Sequence, residues 1–194
     1  MGLPEIFRTH RLLLTRFVAG DAADLARMRR DPRVAQTLGG ARPEAETEHL
    51  AQRLAAYWDE HGFGWWALRV PESGRFIGCG GLRGVEVGAG EIEVGFGLIP
   101  EYWGRGLATE LARVAVAQGI VRLGAAELVS FALSGNVASR RVMEKAGFTY
   151  DRDIVHLDTP HALYRLSARA WRTAPAVNSG TPARTAAAEQ AVAA

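Results

Sequence analysis

The sequence predicts a single α+β domain, and three observations carry that prediction. Apolar, strand-like runs alternate with helix-period segments along most of the chain. Two of the helices open on polar or glycine-rich turns, each following such a run, at Trp103-Gly104-Arg105-Gly106 and at Ser134-Gly135-Asn136. Of the 194 residues 48% are hydrophobic and 23% charged, enough apolar surface for one core in one domain.

In chain order, residues 11–17 (Arg-Leu-Leu-Leu-Thr-Arg-Phe) read as a first strand. Asp21 is a candidate N-cap for a helix with Leu25 and Met28 on one face. Pro43 suits the first turn of a second helix, with Glu44, Glu46 and Glu48 near its positive end. Leu50, Leu54, Tyr57 and His61 form its expected buried stripe, and Gly62 ends it. Residues 63–70 and 75–82 form a hairpin around Pro71-Glu72-Ser73-Gly74. Residues 91–99 are a strand with Glu91, Glu93, Gly95 and Gly97 on one face. Residues 104–123 read as a long helix with Leu107, Leu111, Val114 and Val121 on one stripe. A strand over 127–133, a short helix over 136–145 closed by Gly147, and strands over 148–155 and 161–167 complete the domain. From Thr173 onward the chain is rich in Ala, Pro and Thr and poor in large apolar side chains, so a disordered or marginally helical tail is expected.

Several classes are excluded or disfavoured. The net charge is +2 with both signs interspersed, which gives no nucleic-acid footprint. The single cysteine, Cys79, allows no intramolecular disulfide and no multi-cysteine metal site. The five histidines (His10, His49, His61, His156, His161) show no metal-ligand spacing, so no metal is expected, and each reads as structural or solvated. Cys79 lies beside Gly78 and Gly80 in a strand and reads as a buried thiol. No secretory signal and no apolar run long enough to span a bilayer is visible, which points to a cytoplasmic protein.

The chemistry concentrates in three places. A helix N-terminus presents unpaired N–H groups and the positive end of a dipole, which suits a diphosphate. Gly104 and Gly106 remove side chains that block close approach, Ala108 keeps the first turn slim, and Arg105 adds a cation. The alternative is an ordinary glycine-rich turn before a helix. A dinucleotide fingerprint fits poorly, because Thr109 stands where its third glycine belongs. Glu93 sits in mid-strand near glycines that leave room around it. It is either a general base for an ammonium nucleophile, with Glu91 as the fallback, or a carboxylate on the polar face of a half-exposed strand. Asn136 is either a helix N-cap or a ligand for a cofactor's amide arm. Ser139 is either an idle first-turn hydroxyl or a proton donor to a leaving thiolate. Of Trp65, Trp66, Tyr102 and Trp103, one or two are expected to line an acceptor pocket.

Together these segments resemble the GCN5-related N-acetyltransferase (GNAT) superfamily, most closely its branch of ribosomal-protein N-terminal alanine acetyltransferases, the RimJ/RimL type. Thr9 to Arg16 resembles that branch's opening strand, Glu93-Val94-Gly95-Phe96 its fourth strand, and Pro100 to Glu110 its pyrophosphate loop. Asn136 to Phe148 resembles its N-x-x-S…K-x-G-F signature. The similarity covers residues 8–172, so residues 1–172 are expected to be the domain and 173–194 the tail.

The resemblance implies a three-layer sandwich whose mixed, mostly antiparallel sheet is splayed between the fourth and fifth strands, with acetyl-CoA in the splay. It implies that the pantetheine arm pairs with Phe96, Gly97, Leu98 and Ile99. The pyrophosphate would rest on the amides of Gly104, Arg105, Gly106, Leu107, Ala108 and Thr109. Asn136 would contact the cofactor, Glu93 would be the general base and Ser139 the general acid. The wider superfamily often carries a Tyr acid near Val142–Met143, which this chain lacks. The implied acceptor is a primary amine, on a protein N-terminus or a small molecule, and homodimerisation is plausible for such a protein. The competing reading is a non-catalytic acyl-CoA-binding or regulatory domain.

Overall fold

The computed structural model describes residues 2–41, 43–87 and 90–174. Strands β1 (Ile6–Arg8), β2 (Leu13–Arg16), β3 (Trp65–Arg69), β4 (Phe76–Val85), β5 (Glu91–Leu98), β6 (Glu127–Leu133), β7 (Thr149–His156) and β8 (Thr159–Ser167) form one sheet. Its order is β1-β2-β3-β4-β5-β6-β8-β7. Every neighbouring pair is antiparallel except β5 and β6, which run parallel. Helices α1 (Ala22–Arg30), α2 (Pro32–Thr37), α3 (Glu44–His61), α4 (Leu107–Val121), α5 (Val137–Ala146) and α6 (Ala168–Thr173) complete the domain.

The parallel pair is the weak seam. Only Ile92↔Leu128 and Glu93↔Val129 are in register, although both strands continue for several residues. Beyond Val94 the strands part, as the expected splay requires.

The two faces of the sheet carry different cores. A side chain at Gly80 would run into Leu111 of α4, so α4 covers the face that also carries Leu82, Val94 and Leu98. A side chain at Gly97 would meet Met28 of α1, so α1 covers the opposite face, where Phe17, Leu25, Leu54, Phe76 and Cys79 cluster. Burial of α4 rests on Leu107, Leu111, Ala115 and Ile120, and this helix packs across β4, β5 and β6.

Some sequence expectations are corrected. The strand expected at 11–17 is shorter, Leu13–Arg16, and an edge strand, Ile6–Arg8, precedes it. The α3 stripe is rotated by one position: Thr47, Ala51, Leu54 and Trp58 are buried, while His61 is exposed and stacks on Tyr57. The helix expected from 104 begins at Leu107, because Gly104 and Gly106 have φ of +72° and +76°. Val121 is 51% exposed at its end rather than buried. Asp21 stands at the α1 N-cap but makes no cap hydrogen bond. Its carboxylate instead accepts from Val18 N–H and pairs with Arg69. Helix α2 was not foreseen, yet it has a local signal in Asp31-Pro32: the Asp31 side chain accepts from Arg33 N–H and Pro32 opens the first turn. The expected tail begins within α6, and residues 175–194 lie outside the described residues.

Candidate active site

The seam between β5 and β6 opens a cavity of about 750 Å³. Ile99 N–H donates to Ile77 O across the β4–β5 ladder, and the register is continuous back to Glu91. Odd-numbered peptide groups of β5 therefore face β4, and those of Val94, Phe96 and Leu98 face the gap. Two side chains close the ends of this row. The buried Ser130 hydroxyl donates to Val94 O at 2.7 Å, and Trp103 Nε1 donates to Leu98 O at 2.7 Å. Between them Phe96 N–H, Phe96 O and Leu98 N–H point into the cavity without a strand to bond. Unpaired strand groups of this kind template the binding of an extended, amide-bearing chain. The peptide group of Gly97 faces β4, so Phe96 supplies the N–H at the gap.

At the far end of that row lies the glycine turn. Gly106 is the N-cap of α4 in the left-handed region and offers no capping side chain. A serine or aspartate there adds only a few tenths of a kcal/mol to helix stability, but its oxygen occupies one of the first-turn amides. Leaving the position to glycine keeps the N–H groups of Leu107, Ala108 and Thr109 open, since Glu110 N–H is the first to bond back, to Gly106 O. Arg105 is exposed and its guanidinium lies over the Tyr102 ring. Arg11, ninety-four residues upstream of Arg105 in sequence, clamps this turn. Its Nη1 donates to Arg105 O at 2.8 Å and its Nε to Glu110 Oε2 at 2.7 Å. The clamp also neutralises a carboxylate that would otherwise repel an anion at the helix start.

Asn136 is the N-cap of α5, its Oδ1 accepting from Ser139 N–H at 3.1 Å. The bond orients the amide, Nδ2 takes no partner among the described residues, and Asn136 borders the cavity. Ser139 lines the same wall, and its hydroxyl takes no partner among the described residues. Lys145 and Arg141 of α5 also border the cavity.

On the α1-covered face, register sets Arg83 directly opposite Glu93 and places Trp65, Phe131 and His161 on the same face, offset along their strands. Glu93 is 4% exposed, and Arg83 Nε donates to its Oε2. The Arg83 guanidinium lies 5.4 Å from the Trp65 ring centre. Gly95 makes room for that indole: a side chain there would come within 2.4 Å of Trp65 Cζ2. Trp65, Tyr102 and Trp103 border the cavity, whereas Trp66 is fully buried in the core.

The structure thus brings eleven sequence-expected residues to one cavity: Glu93, Phe96, Gly97, Leu98, Gly104, Gly106, Leu107, Ala108, Thr109, Asn136 and Ser139. Ile99 and Arg105 lie just outside its lining. Sequence reasoning missed Ser130, Arg11, Arg83, His156 and His161. Ser130 and Arg83 have no local signature, since each acts through a partner on another element. Among the described residues no group of His, Cys, Asp and Glu is arranged to hold a metal, and no helix is long and apolar enough to cross a membrane.

Burial pushes the Cys79 thiol up to about 12. The folded protein should therefore resist iodoacetamide at pH 8 and take up one equivalent after unfolding in guanidinium. Stoichiometric labelling of the native protein would contradict this placement.

Comparison with known proteins agrees with this fold. Residues 11–149 match the acetyltransferase (GNAT) domain family, and the chain belongs to it. The protein is accordingly an acetyl-CoA-dependent acetyltransferase. It is 30% identical over 141 residues to the FsC-acetyl coenzyme A-N(2)-transacetylase of Aspergillus fumigatus, covering 67% of this chain and 59% of that longer relative. It is 26% identical over 145 residues to an uncharacterized N-acetyltransferase, YoaA, of Bacillus subtilis, covering 74% and 82% of the two chains. The crystal structure of an acetyltransferase from Agrobacterium tumefaciens superposes with a TM-score of 0.75 at 27% identity, over 86% of this chain and 95% of the other.

Proposed function

We propose that the protein moves the acetyl group of acetyl-CoA directly to a primary amine, in the manner of the RimJ/RimL branch, with its chemistry in the β5–β6 gap. The observation that carries this reading is the open peptide row of Phe96 and Leu98 leading to the uncapped start of α4. Its two ends fit the two ends of one ligand: an amide-bearing arm along the strand and a diphosphate on the helix amides.

In this reading Phe96 and Leu98 hold the pantetheine arm. Gly104, Gly106, Leu107, Ala108 and Thr109 surround the pyrophosphate, with Arg105 and Lys145 contributing charge. Asn136 Nδ2 donates to the cofactor's amide arm. Gly97 and Ile99 contribute by holding β5 against β4 rather than by pointing at the ligand. Phe96 N–H lies where a developing oxyanion needs a fixed donor, and such donors supply much of an acyl-transfer enzyme's rate. Glu93 keeps Oε1 available while Arg83 occupies Oε2, so the carboxylate is aimed as well as charged. Ser139 supplies a proton to the departing thiolate. The acceptor enters over the sheet face of Trp65, Arg83 and Glu93, and cytoplasmic residence suits a supply of acetyl-CoA.

Thiol release from acetyl-CoA should be followed with an alanine-starting peptide, spermidine, a free amino acid and an aminoglycoside, with mass spectrometry of the acetylated product. Turnover with the peptide above the small amines is the expected result. Binding of acetyl-CoA with no thiol release from any amine would overturn the reading in favour of an acyl-CoA-binding domain.

A further inference from the structure

The acceptor side of the cavity carries two imidazoles that the scheme above leaves unused. His156 ends β7 and His161 lies in β8, joined by a turn in which Leu157 and Asp158 have φ of 48° and 57°. Both rings pack on Phe131 of β6, at 4.8 Å and 5.7 Å between centroids, and on each other at 5.6 Å. Both border the same cavity as Glu93 and Ser139. By register His161 shares the sheet face of Glu93, Val129 pairing with Glu93 and Leu133 with His161.

The tautomer of His161 follows from one contact. Its Nδ1 lies 2.8 Å from Thr159 O. A carbonyl oxygen only accepts, so Nδ1 carries the proton and a neutral ring presents the Nε2 lone pair. The contact with Phe131 and His156 fixes the plane of that lone pair.

Acyl transfer to an amine must dispose of two protons. At neutral pH the acceptor arrives as an ammonium, which must lose one before its nitrogen has a lone pair. The nitrogen loses a second as the amide forms. Glu93, with one oxygen committed to Arg83, is placed to take one of them.

We propose that His161 is a further catalytic residue, its Nε2 taking the first proton from the acceptor ammonium. This rests on the acetyl-transfer reading above. The ammonium N–H bond breaks and an N–H bond forms on Nε2, giving free amine and imidazolium, and the imidazolium returns its proton to water at the cavity mouth. The free amine attacks the thioester carbonyl, its remaining excess proton goes to Glu93, and the C–S bond breaks with the electron pair leaving on sulfur. The thiolate is protonated from Ser139, whose oxygen regains a proton from water while Glu93 returns its proton to water, so one proton is released in net.

The charged and titratable groups sharing this space are Arg83 and Glu93 on the sheet, Arg29, Glu46, His49 and Arg53 on the covering helices, Arg141 and Lys145 on α5, and His156 on β7. Burial first, and then neighbouring His161, hold His156 below the usual imidazole range. The second ring therefore stays neutral at pH 7 and does not repel an incoming ammonium.

Two measurements test this on the full chain. His161→Asn keeps an amide N–H for Thr159 O and removes Nε2. With an alanine-starting peptide as acceptor, about a tenth of the α-amine is already free at pH 7, so kcat/KM of the variant should fall about tenfold there. It should recover over about one pH unit as free amine accumulates, approaching wild type near the pKa of the amine, about 8. A variant profile parallel to wild type at all pH values would overturn the proposal. Imidazole nitrogen NMR needs no acceptor: the neutral His161 ring is expected to carry its proton on Nδ1, and a neutral ring protonated on Nε2 would overturn it. An acetyl-CoA melting shift retained by the variant, with no turnover by wild type on any amine, would mark failure of the acetyl-transfer reading instead.

Discussion

Replacing Glu93 with Gln should lower kcat by about 10²- to 10⁴-fold, the range that a positioned acid or base supplies. Affinity for acetyl-CoA should stay nearly unchanged. The carboxylate lies on the α1-covered face of β5, whereas the open peptide groups of Phe96 and Leu98 lie in the plane of the strand and toward the gap. The amide of Gln keeps the shape and an oxygen for Arg83, so the fold should be little perturbed. The variant should melt close to wild type and bind acetyl-CoA normally by calorimetry. Loss of binding equal to the loss of rate would show that Glu93 holds the cofactor instead. Unchanged activity across pH would remove it from the chemistry.

Gly106→Val should have the second large effect, on binding rather than on kcat. Gly106 has φ +76° and stands immediately before the open amides of α4. A β-branched residue is strained in that region by about 1–2 kcal/mol. To relieve the strain the turn must move, which withdraws the amides of Leu107 to Thr109 from their common focus. Each charge-assisted hydrogen bond to a phosphate contributes about 1.5–3 kcal/mol. Losing one or two raises Kd for acetyl-CoA by about 100-fold or more, visible by calorimetry. Gly104→Ala is the milder control: its φ is also positive, but no atom lies within 4 Å of an added side chain. Equal affinity of Gly106→Val and wild type would show that the helix start does not bind the diphosphate.

The sequence carried the order of elements and the glycine-marked helix start well, because both are written in local chemistry. Gly62 and Gly147 adopt the left-handed caps expected of them. The first turn of α4 lies where Gly104 and Gly106 announce it, offset because glycines in the left-handed region cannot be part of the helix they precede. The α3 stripe was misread by one residue because Leu50 and Tyr57 are apolar yet half-buried, while Thr47 and Ala51 are small and sit inside. The grouping of Trp65, Arg83, Glu93, Phe131 and His161 on one sheet face was illegible for a different reason. It joins residues up to ninety-six positions apart through the registers of five strands, and no spacing in the chain encodes that. His156 and His161 resemble ordinary surface histidines in sequence. Only the β7–β8 turn and the ladder to β6 bring them to the cavity. Of the Asn136 alternatives the N-cap is formed, Oδ1 accepting from Ser139 N–H, and the residue also borders the cavity.

The most direct test of the account is a thermal-shift titration with acetyl-CoA, with CoA, NAD and ATP run alongside. A ligand present at 100 times its Kd adds about 2.7 kcal/mol, which is about 5–10 °C for a domain of this size. The account predicts a shift of that order with acetyl-CoA and CoA, far larger than with NAD or ATP. No shift with acetyl-CoA at millimolar concentration would contradict it, and would return the peptide row of β5 and the glycine turn before α4 to ordinary features of the fold.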